Sequence, residues 1–496
     1  MRKKITICWL LAIAMFAGLF NSCSKSAFDI NSPNPNLPSD VPPNFTLSAA
    51  QTASANLVFN GNSTFADFWM GYWAPYGEQS PEILSYSLTT DTYSNNWDSS
   101  YVILENYKFI IDHAAAPELI YYKAIAKIME VYHYQRLVDL YNNIPYSEAL
   151  EATNTFPKYD SAESVYKSLV TQLDSAILLI NTADLNKVED PAAYDVVFQG
   201  DMQKWTRFSH TLKLRILMRL TQLPDGPAFI QSSLAGLTIT DFLGAGEDAG
   251  VNPGYSNSTA AQQNPLWRNV GYTTDGSPSG GYQFTRANSY AVNFYLATND
   301  PRVEQFYAPN SDGIYKGRAF GSSDVGQGGN NISGFGSAFL KSPTQSAYIL
   351  PAFESLFIES EAAERGYISA DAAALFKTAV TESFRLVGVP DYENAALTYF
   401  SQANAKVNID ISPDKINTII AQKWAALNGF DPVESYSDWR RLSIPNDLPV
   451  SVYPGTTASH IPYRLLYPSS EYHYNANNTN AQGTINQFTS TIFWMP

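Results

Sequence analysis

Two blocks of helical apolar periodicity, separated by a long glycine-rich stretch, constrain the fold of this chain more than any other feature. Apolar side chains recur every three or four residues in each block, which is the period of one face of an α-helix. Between the blocks, residues 241–340 hold 16 of the 28 glycines and show little helical period, although Asn288–Ala297 is a candidate short helix. An irregular insert of this length is usually functional. We therefore expect a helical scaffold that carries a loop-rich region over about 241–345.

Five apolar stripes place the main helices. They are Tyr121, Ile125, Ile128 and Tyr132; Leu169, Leu173, Ala176 and Ile180; Trp205, Phe208, Leu212 and Ile216; Phe376, Val380, Phe384 and Val387; and Ile416, Ile420, Trp424 and Leu427. Asp160 with Glu163 three residues later resembles a capping box at the start of the second helix. Ser412 as N-cap, Pro413 at the first helical position and Gly429 as the stop bound the last one. The pattern predicts a mostly α-helical fold.

The N-terminus has the pattern of a secretory signal peptide. Arg2–Lys4 are positive, and the apolar run Ile5–Phe20 is shorter than the ~20 residues of a membrane-spanning helix. After removal of residues 1–22, Cys23 would be the single cysteine left, because Cys8 lies in the signal. An unpaired thiol is a liability in an exported protein, so we expect Cys23 to be lipidated. The alternative is an ordinary signal peptide with Cys23 as a bystander.

The segment behind Cys23 contains five prolines together with several serines and asparagines. Because proline fixes φ and lacks an amide hydrogen, residues 23–44 are expected to form the lipidated cysteine and a flexible, extended tether. Residues 45–496 are then expected to form a single domain. No later run of ~18 or more apolar residues occurs, so the membrane anchor would be the lipid alone.

The low charge and the high tyrosine content indicate the class of ligand. Charged residues make up 16% of the chain and aromatic residues 14%, with 32 tyrosines. Such a surface suits neutral, hydroxyl-rich ligands better than phosphates. The net charge of −15 argues against nucleic acid, because binding to its backbone requires clustered lysine and arginine.

Motifs for metal or cofactor chemistry are missing from the sequence. None of the five histidines lies in an H-E-x-x-H motif, and there is no cysteine–histidine cluster, G-x-S-x-G elbow or Walker loop. Gly244–Ala249 fits the spacing G-x-G-x-x-A, but Pro253 follows where a phosphate-binding helix would have to begin. The sequence therefore predicts no catalytic residue, no metal site and no cofactor.

Paired carboxylates are the one catalytic pattern that the sequence does not exclude. Glu354, Glu361 and Glu364 fall near one face of a predicted helix, and a glycosidase needs only two carboxyl groups at the right separation. A solvated or locally salt-bridged helix face is the preferred interpretation of this acidic cluster.

Six ordered segments together resemble the SusD/RagB family of nutrient-binding outer-membrane lipoproteins. They are Trp97–Asn106, Tyr134–Leu150, Glu361–Gly366, Gln422–Leu427, Asp438–Arg441 and Arg464–Asn475. Each segment is short, but their order is that of the family over most of the chain. The resemblance implies helix pairs of tetratricopeptide type that support a large, irregular, loop-rich region.

The resemblance also implies partners and location. Members of the family bind an oligosaccharide, or in some branches a peptide, and are not enzymes. They form a lid on a TonB-dependent outer-membrane transporter of SusC type and release the ligand into its barrel. A lipid anchor on the cell surface is implied as well. However, Ser24–Asp29 lacks the acidic stretch that often follows the lipidated cysteine in surface-exposed members.

Aromatic residues outside the helical stripes are the candidates for ligand contact, because a sugar stacks its C–H face on an aromatic ring. The candidates near the N-terminus are Trp73, Tyr76 and Tyr93, and those in the glycine-rich middle, beside Phe284, are Tyr255, Trp267, Tyr272 and Tyr282. The first group fits a buried aromatic knot equally well. The tryptophans expected in the core are Trp97, Trp205, Trp424 and Trp439.

Three functions compete at this point. The chain could capture a glycan and deliver it to a transporter, hydrolyse a glycan with the acidic cluster of a helical fold, or serve as a helical-repeat scaffold for a protein partner. The family resemblance favours capture and delivery at the outer membrane.

Overall fold

Helices make up most of the regular structure in the computed structural model, which describes residues 42–77, 80–322 and 329–496. In the first half they are α1 Pro43–Phe59, α2 Thr64–Trp69, α3 Pro81–Leu84, α4 Asn95–His113, α5 Ile120–Tyr141, α6 Ala162–Asn181, α7 Met202–Arg219 and α8 Gly226–Ser233. In the second half they are α9 Pro265–Val270, α10 Gly280–Phe284, α11 Ser289–Ala297, α12 Val303–Phe306, α13 Ala352–Glu364, α14 Ala372–Val387, α15 Tyr392–Phe400, α16 Lys415–Leu427, α17 Pro432–Leu442, α18 Ser469–Tyr474 and α19 Ala476–Asn480. The signal peptide, Cys23 and the tether up to residue 41 lie outside the described residues.

The long helices pack one after another in chain order. α1 packs against α4, α4 against α5, α5 against α6 and α6 against α7, and α7 then contacts α13, which packs against α14 and α16. All five apolar stripes lie on helices of this series, and their apolar faces form its core. Residues Pro43–Pro496 form one compact unit. The predicted mostly α-helical fold with tetratricopeptide-like helix pairs is confirmed.

The glycine-rich middle contains more regular structure than its lack of helical period predicted. It holds the short helices α9 to α12 and parts of small antiparallel sheets, and Asn288 caps the predicted helix α11. The strands are β1 Trp73–Pro75, β2 Ile144–Pro145, β3 Tyr159–Asp160, β4 Ala249–Val251, β5 Thr285–Ala287 and β6 Ala347–Leu350. They pair as β1–β5, β2–β3 and β4–β6. Single turns of 3-10 helix occur at Pro117–Leu119, Pro191–Ala193, Leu220–Gln222, Ile239–Asp241, Ala260–Gln262, Gly329–Asn331 and Ile409–Ile411.

Two predicted helix starts are corrected by one or two residues. The N-cap of α6 is Ser161, not Asp160, because the Ser161 hydroxyl accepts the amide hydrogen of Ser164 at 3.3 Å. The N-cap of α16 is Asp414, not Ser412, and its carboxylate accepts the amide hydrogen of Asn417 at 3.0 Å. In both places a competing side chain one or two residues away makes the capping bond.

Two of the three carboxylates in the acidic cluster on α13, Glu354 and Glu361, are buried, and the third, Glu364, is exposed. Glu361 accepts two hydrogen bonds from the Arg441 guanidinium at 2.6 and 2.7 Å and one from Arg365 at 2.7 Å. Burial alone would raise the pKa of the Glu361 carboxyl, but these arginines lower it to about 2. Glu354 pairs with Arg215 at 3.1 Å. Glu354 and Glu361 therefore join helices within the core, which corrects the expectation of a solvated face for these two residues. The local salt bridge that this interpretation also allowed is present between Glu361 and Arg365, one helical turn apart.

No helix in the described ranges is both long and apolar enough to span a membrane. Trp97, Trp205 and Trp424 are buried as predicted, and Trp439 is partly buried against the core.

Candidate functional site

The pairing of β1 with β5 brings two distant aromatic groups together. The strands are antiparallel, with Ala74 opposite Arg286 and Pro75 opposite Thr285. The pairing continues one residue beyond β1, where the Tyr76 amide donates to the Phe284 carbonyl at 2.8 Å. Tyr76 of the first group of candidate aromatics and Tyr282 of the second, about two hundred residues apart in sequence, therefore come close at one edge.

Tyr282 is positioned by the cap of the short helix α10. The Ser279 hydroxyl accepts the Tyr282 amide hydrogen at 3.1 Å and donates to the Asn269 carbonyl at 2.7 Å. Gly281 passes so close to that carbonyl that a Cβ there would overlap its oxygen. Only glycine allows this approach, which ties the start of α10 to the end of α9.

Trp267 is positioned by the cap of α9. The buried Asn264 carboxamide accepts the Trp267 amide hydrogen at 3.0 Å and donates to the Gln345 carbonyl at 2.9 Å. Pro265 occupies the first helical position, where its missing amide hydrogen costs nothing. Trp267 thus lies on a short capped helix and is partly exposed.

Four of the seven candidate aromatics form a continuous surface feature, which we call the aromatic strip. Its members are Trp267, Tyr272, Tyr282 and Tyr76, all of which are partly exposed. The ring centroids of Trp267 and Tyr272 are 5.7 Å apart, and those of Tyr272 and Tyr282 are 5.1 Å apart. The closely placed Tyr282 hydroxyl raises the pKa of the Tyr272 hydroxyl to about 12, so the Tyr272 phenol stays neutral over the physiological range.

Arg286 joins Tyr282 to Tyr76. Its guanidinium carbon lies 5.0 Å from the centroid of the Tyr76 ring and 6.0 Å from that of Tyr282. The same guanidinium donates to the carbonyl of Tyr282 at 2.6 Å and to that of Gly329 at 3.1 Å. Arg286 therefore holds the two rings and the loop beside them in one arrangement through cation–π contacts and backbone hydrogen bonds.

The other three candidates lie elsewhere. Trp73 is 2% exposed, its indole N–H donates to Asn428 at 3.1 Å, and its ring packs on Phe335 at 4.9 Å. Because Trp73 points into the core, it has no ring face for a ligand in this structure. Tyr255 is 8% exposed and belongs to the core cluster. Tyr93 is half-buried against the neighbouring aromatic core.

Two further residues belong to this surface. Phe284, named beside the second group of candidates, is 49% exposed, and a Cβ added to Gly77 would lie 3.3 Å from its ring, at the end of the strip that contains Tyr76. Arg286 was not among the candidates. Its only signal in the sequence is a basic residue two positions after an aromatic one, which is too common to single it out.

The strip presents ring faces, phenol hydroxyls and backbone groups to a ligand. Among the described residues, no cluster of three or more His, Cys, Asp or Glu side chains is suited to a metal ion. Rings tilted by 37° and 52° to their neighbours form a curved surface rather than a flat stack. Such a surface can bind the apolar face of a ligand and leave its polar edge to the phenols.

Comparisons with known proteins agree with this architecture. Residues 35–468 match the SusD-like family described as "Starch-binding associating with outer membrane". A chitin-binding SusD homolog from Flavobacterium johnsoniae superposes with a TM-score of 0.75 at 20% identity, covering 90% of this chain and 97% of that one. A SusD homolog from Bacteroides thetaiotaomicron gives a TM-score of 0.76 at 21% identity, covering 92% and 99%. No match is found among curated proteins.

Proposed function

Because this chain belongs to the SusD-like family of starch-binding proteins that associate with the outer membrane, we propose that its aromatic strip binds a glycan. The observation that carries the proposal is the contact series from Trp267 through Tyr272 to Tyr282, extended to Tyr76 by Arg286. A family relative with the same fold is described as chitin-binding, which supports the same class of ligand.

The dimensions of the strip fit a short oligosaccharide. Neighbouring rings are 5.1 and 5.7 Å apart, close to the length of one sugar unit, so consecutive units can each contact a ring. A stacked sugar that removes on the order of 60 Å² of apolar surface contributes about 1.5 kcal/mol at ~25 cal/mol/Å². Two or three such contacts, less the cost of ordering the ligand, give dissociation constants between roughly 1 μM and 1 mM.

We further propose that the protein is a lipoprotein anchored through Cys23 in the outer membrane, on the cell surface. It would deliver its glycan to a TonB-dependent transporter of SusC type. The family description, the short apolar N-terminal run and the single cysteine behind it support this proposal. A ligand held with modest affinity suits delivery, because it must also be released.

Glycan hydrolysis by the acidic cluster is less well supported by the geometry. Glu354 and Glu361 are buried and paired with Arg215 and Arg441. A general acid and a nucleophile must reach the glycosidic bond, and carboxylates in these ion pairs do not face an open cleft. Capture without chemistry is therefore the function that we favour.

Binding of soluble glycans to Tyr282→Ala tests the proposed site. We expect the variant to bind a starch or chitin oligosaccharide several-fold more weakly than the unmodified protein, measured by titration calorimetry. Tyr474 is 77% exposed and outside the strip, so Tyr474→Ala is the matched control and should bind normally. Tyr282→Ala protein that binds every glycan with unchanged affinity would contradict the proposal. A steep loss of affinity with added salt would indicate a charged ligand instead.

A further inference from the structure

A second concave site lies beside α11 and shares no lining residue with the aromatic strip. This cleft has a volume of about 330 Å³. Its walls come from α11, from α16 and from the chain around Pro445, and we call it the α11 cleft. A volume of this size is at the lower end of the range for small-molecule sites and accommodates one or two sugar units.

One side of the α11 cleft is apolar and aromatic. Phe294, Ala297 and Ala421 line it, together with Tyr290. The Tyr290 ring packs on the buried Trp424 at 5.4 Å, and its hydroxyl donates to the Asp447 carboxylate across the cleft. Tyr290 is therefore fixed at both ends, so its ring needs no further ordering when a ligand arrives.

The other side of the cleft is lined by polar side chains. Asn293, Asn417 and Asn446 line it, and in the part of the chain that the structure describes their side-chain carboxamides make no hydrogen bond to protein. Lys406 also lines it, and no carboxylate of the described residues lies within 4.0 Å of its ammonium group. Asp447 accepts from Tyr290 and has a second oxygen to offer.

We propose that the α11 cleft is a second saccharide-binding site. Each carboxamide presents a donor beside an acceptor, which is the pair that a sugar hydroxyl needs, and three of them face one small cleft. The apolar wall is suited to the C–H face of the same sugar. A free amino acid could pair with Lys406 and Asp447, but it would leave the carboxamides unused, so a neutral sugar is the better fit.

The second site would bind the same class of ligand, a saccharide, as the proposed function and rests on that function to this extent. The residues that form it are different. Its test uses the full chain carrying Tyr282→Ala, in which the strip is impaired, titrated with maltose and chitobiose and followed by saturation-transfer NMR. We expect a remaining weak saccharide site. Adding Asn293→Ala and Asn446→Ala should weaken it about five-fold or more, since two lost hydrogen bonds are worth ~1 kcal/mol or more. Both asparagines of the pair are exposed, so folding should be unaffected.

Asn480 is exposed, has no side-chain hydrogen bond among the described residues and does not line the cleft, so Asn480→Ala is the matched control. A remaining saccharide signal that the asparagine pair leaves unchanged would overturn the inference. Loss of all saccharide binding in Tyr282→Ala alone would also overturn it while leaving the proposed function intact. Binding of glycine or glycylglycine in place of the sugars, abolished by Asp447→Asn, would assign the cleft to amino acids or peptides. If neither sugar binds to any form of the protein, the inference of a second site is overturned, and the proposed function is decided separately by the calorimetric titration of Tyr282→Ala.

Discussion

Trp73 and Tyr282 show how differently two aromatic residues of one region are used. The Trp73 ring is enclosed by Phe335 and Phe339, at centroid distances of 4.9 and 5.6 Å. Tyr282 contacts Phe335 from the outer side at 6.5 Å and keeps part of its ring exposed. Phe335 thus lies between a core residue and a surface residue. Replacing Trp73 with alanine should therefore lower stability and spare glycan binding, whereas replacing Tyr282 should weaken binding and change stability little.

We expect Trp73→Ala to lower the free energy of unfolding by ~3–5 kcal/mol, because it leaves a cavity the size of an indole ring. Trp424→Ala should do the same, since that ring is 1% exposed and stacks on Tyr72 at 5.1 Å. Urea unfolding measures both. At a temperature where the variant is folded, Trp73→Ala should retain glycan binding. A stable Trp73→Ala protein that no longer binds would place this residue in the site after all.

A buried carboxyl should make stability depend on pH. Glu359 on α13 is 1% exposed, and among the described residues its single side-chain partner is Ser355, whose hydroxyl donates at 2.8 Å. Burial raises the pKa of the Glu359 carboxyl from 4.5 to about 8. The folded protein therefore holds a proton that the unfolded chain releases between these two values. This contribution to stability is complete below pH 4.5 and is lost as the pH rises to 8.

Glu359→Gln removes the titrating group and keeps the shape of the side chain. We expect the unmodified protein to lose stability relative to this variant by up to ~1.4 kcal/mol per pH unit between pH 5 and 8. Urea unfolding of both proteins at several pH values measures the difference. Parallel pH profiles for the two proteins would show that Glu359 does not hold the proton. The pKa of the Glu361 carboxyl is lowered from 4.5 to about 2. Its contribution to stability is therefore lost only as the pH falls from 4.5 towards 2 and does not disturb the measurement above pH 5.

At the scale of elements, the aromatic strip depends on contacts that a periodic pattern does not reveal. The long helices were predictable because the spacing of the apolar residues within each helix indicates its buried face. α5, α7 and α14 lie where these stripes predicted them. The strands β1 and β5 have three residues each, and their register depends on two segments about two hundred residues apart. That pairing turns Trp73 inward and leaves Tyr76 at the surface. Composition could locate the aromatic candidates but could not decide between them.

Replacing Gly281 tests whether the position of α10 affects glycan binding. We expect Gly281→Ala to weaken glycan binding several-fold and to lower the melting temperature, because its Cβ would push α10 and Tyr282 away from the Asn269 carbonyl. Gly280 has nothing within 4 Å of an added Cβ, so Gly280→Ala is a control one residue away. Calorimetric titration and thermal melting of both variants measure the effect. Equal binding by the two variants would show that the position of α10 does not control the strip.

At the scale of the whole molecule, the helical scaffold and the proposed membrane anchor occupy different parts of the sequence. The described unit begins at Pro43, and its first helix, α1, packs on α4. We expect this unit to fold independently of the N-terminal segment. If the anchor is a lipid on Cys23, the location of the protein in the cell can be changed without changing its structure or its glycan site.

Replacing the two cysteines one at a time tests the anchor. Cys23→Ala removes the thiol that would carry the lipid, so we expect the protein to move from the outer-membrane fraction to the soluble fraction while its melting temperature and glycan affinity stay the same. Cys8 lies within the predicted signal peptide, so Cys8→Ala should leave the protein in the outer membrane and is the matched control. Cell fractionation followed by immunoblotting measures both. A Cys23→Ala protein that still fractionates with the outer membrane would contradict the lipid anchor and leave the family assignment and the aromatic strip unaffected.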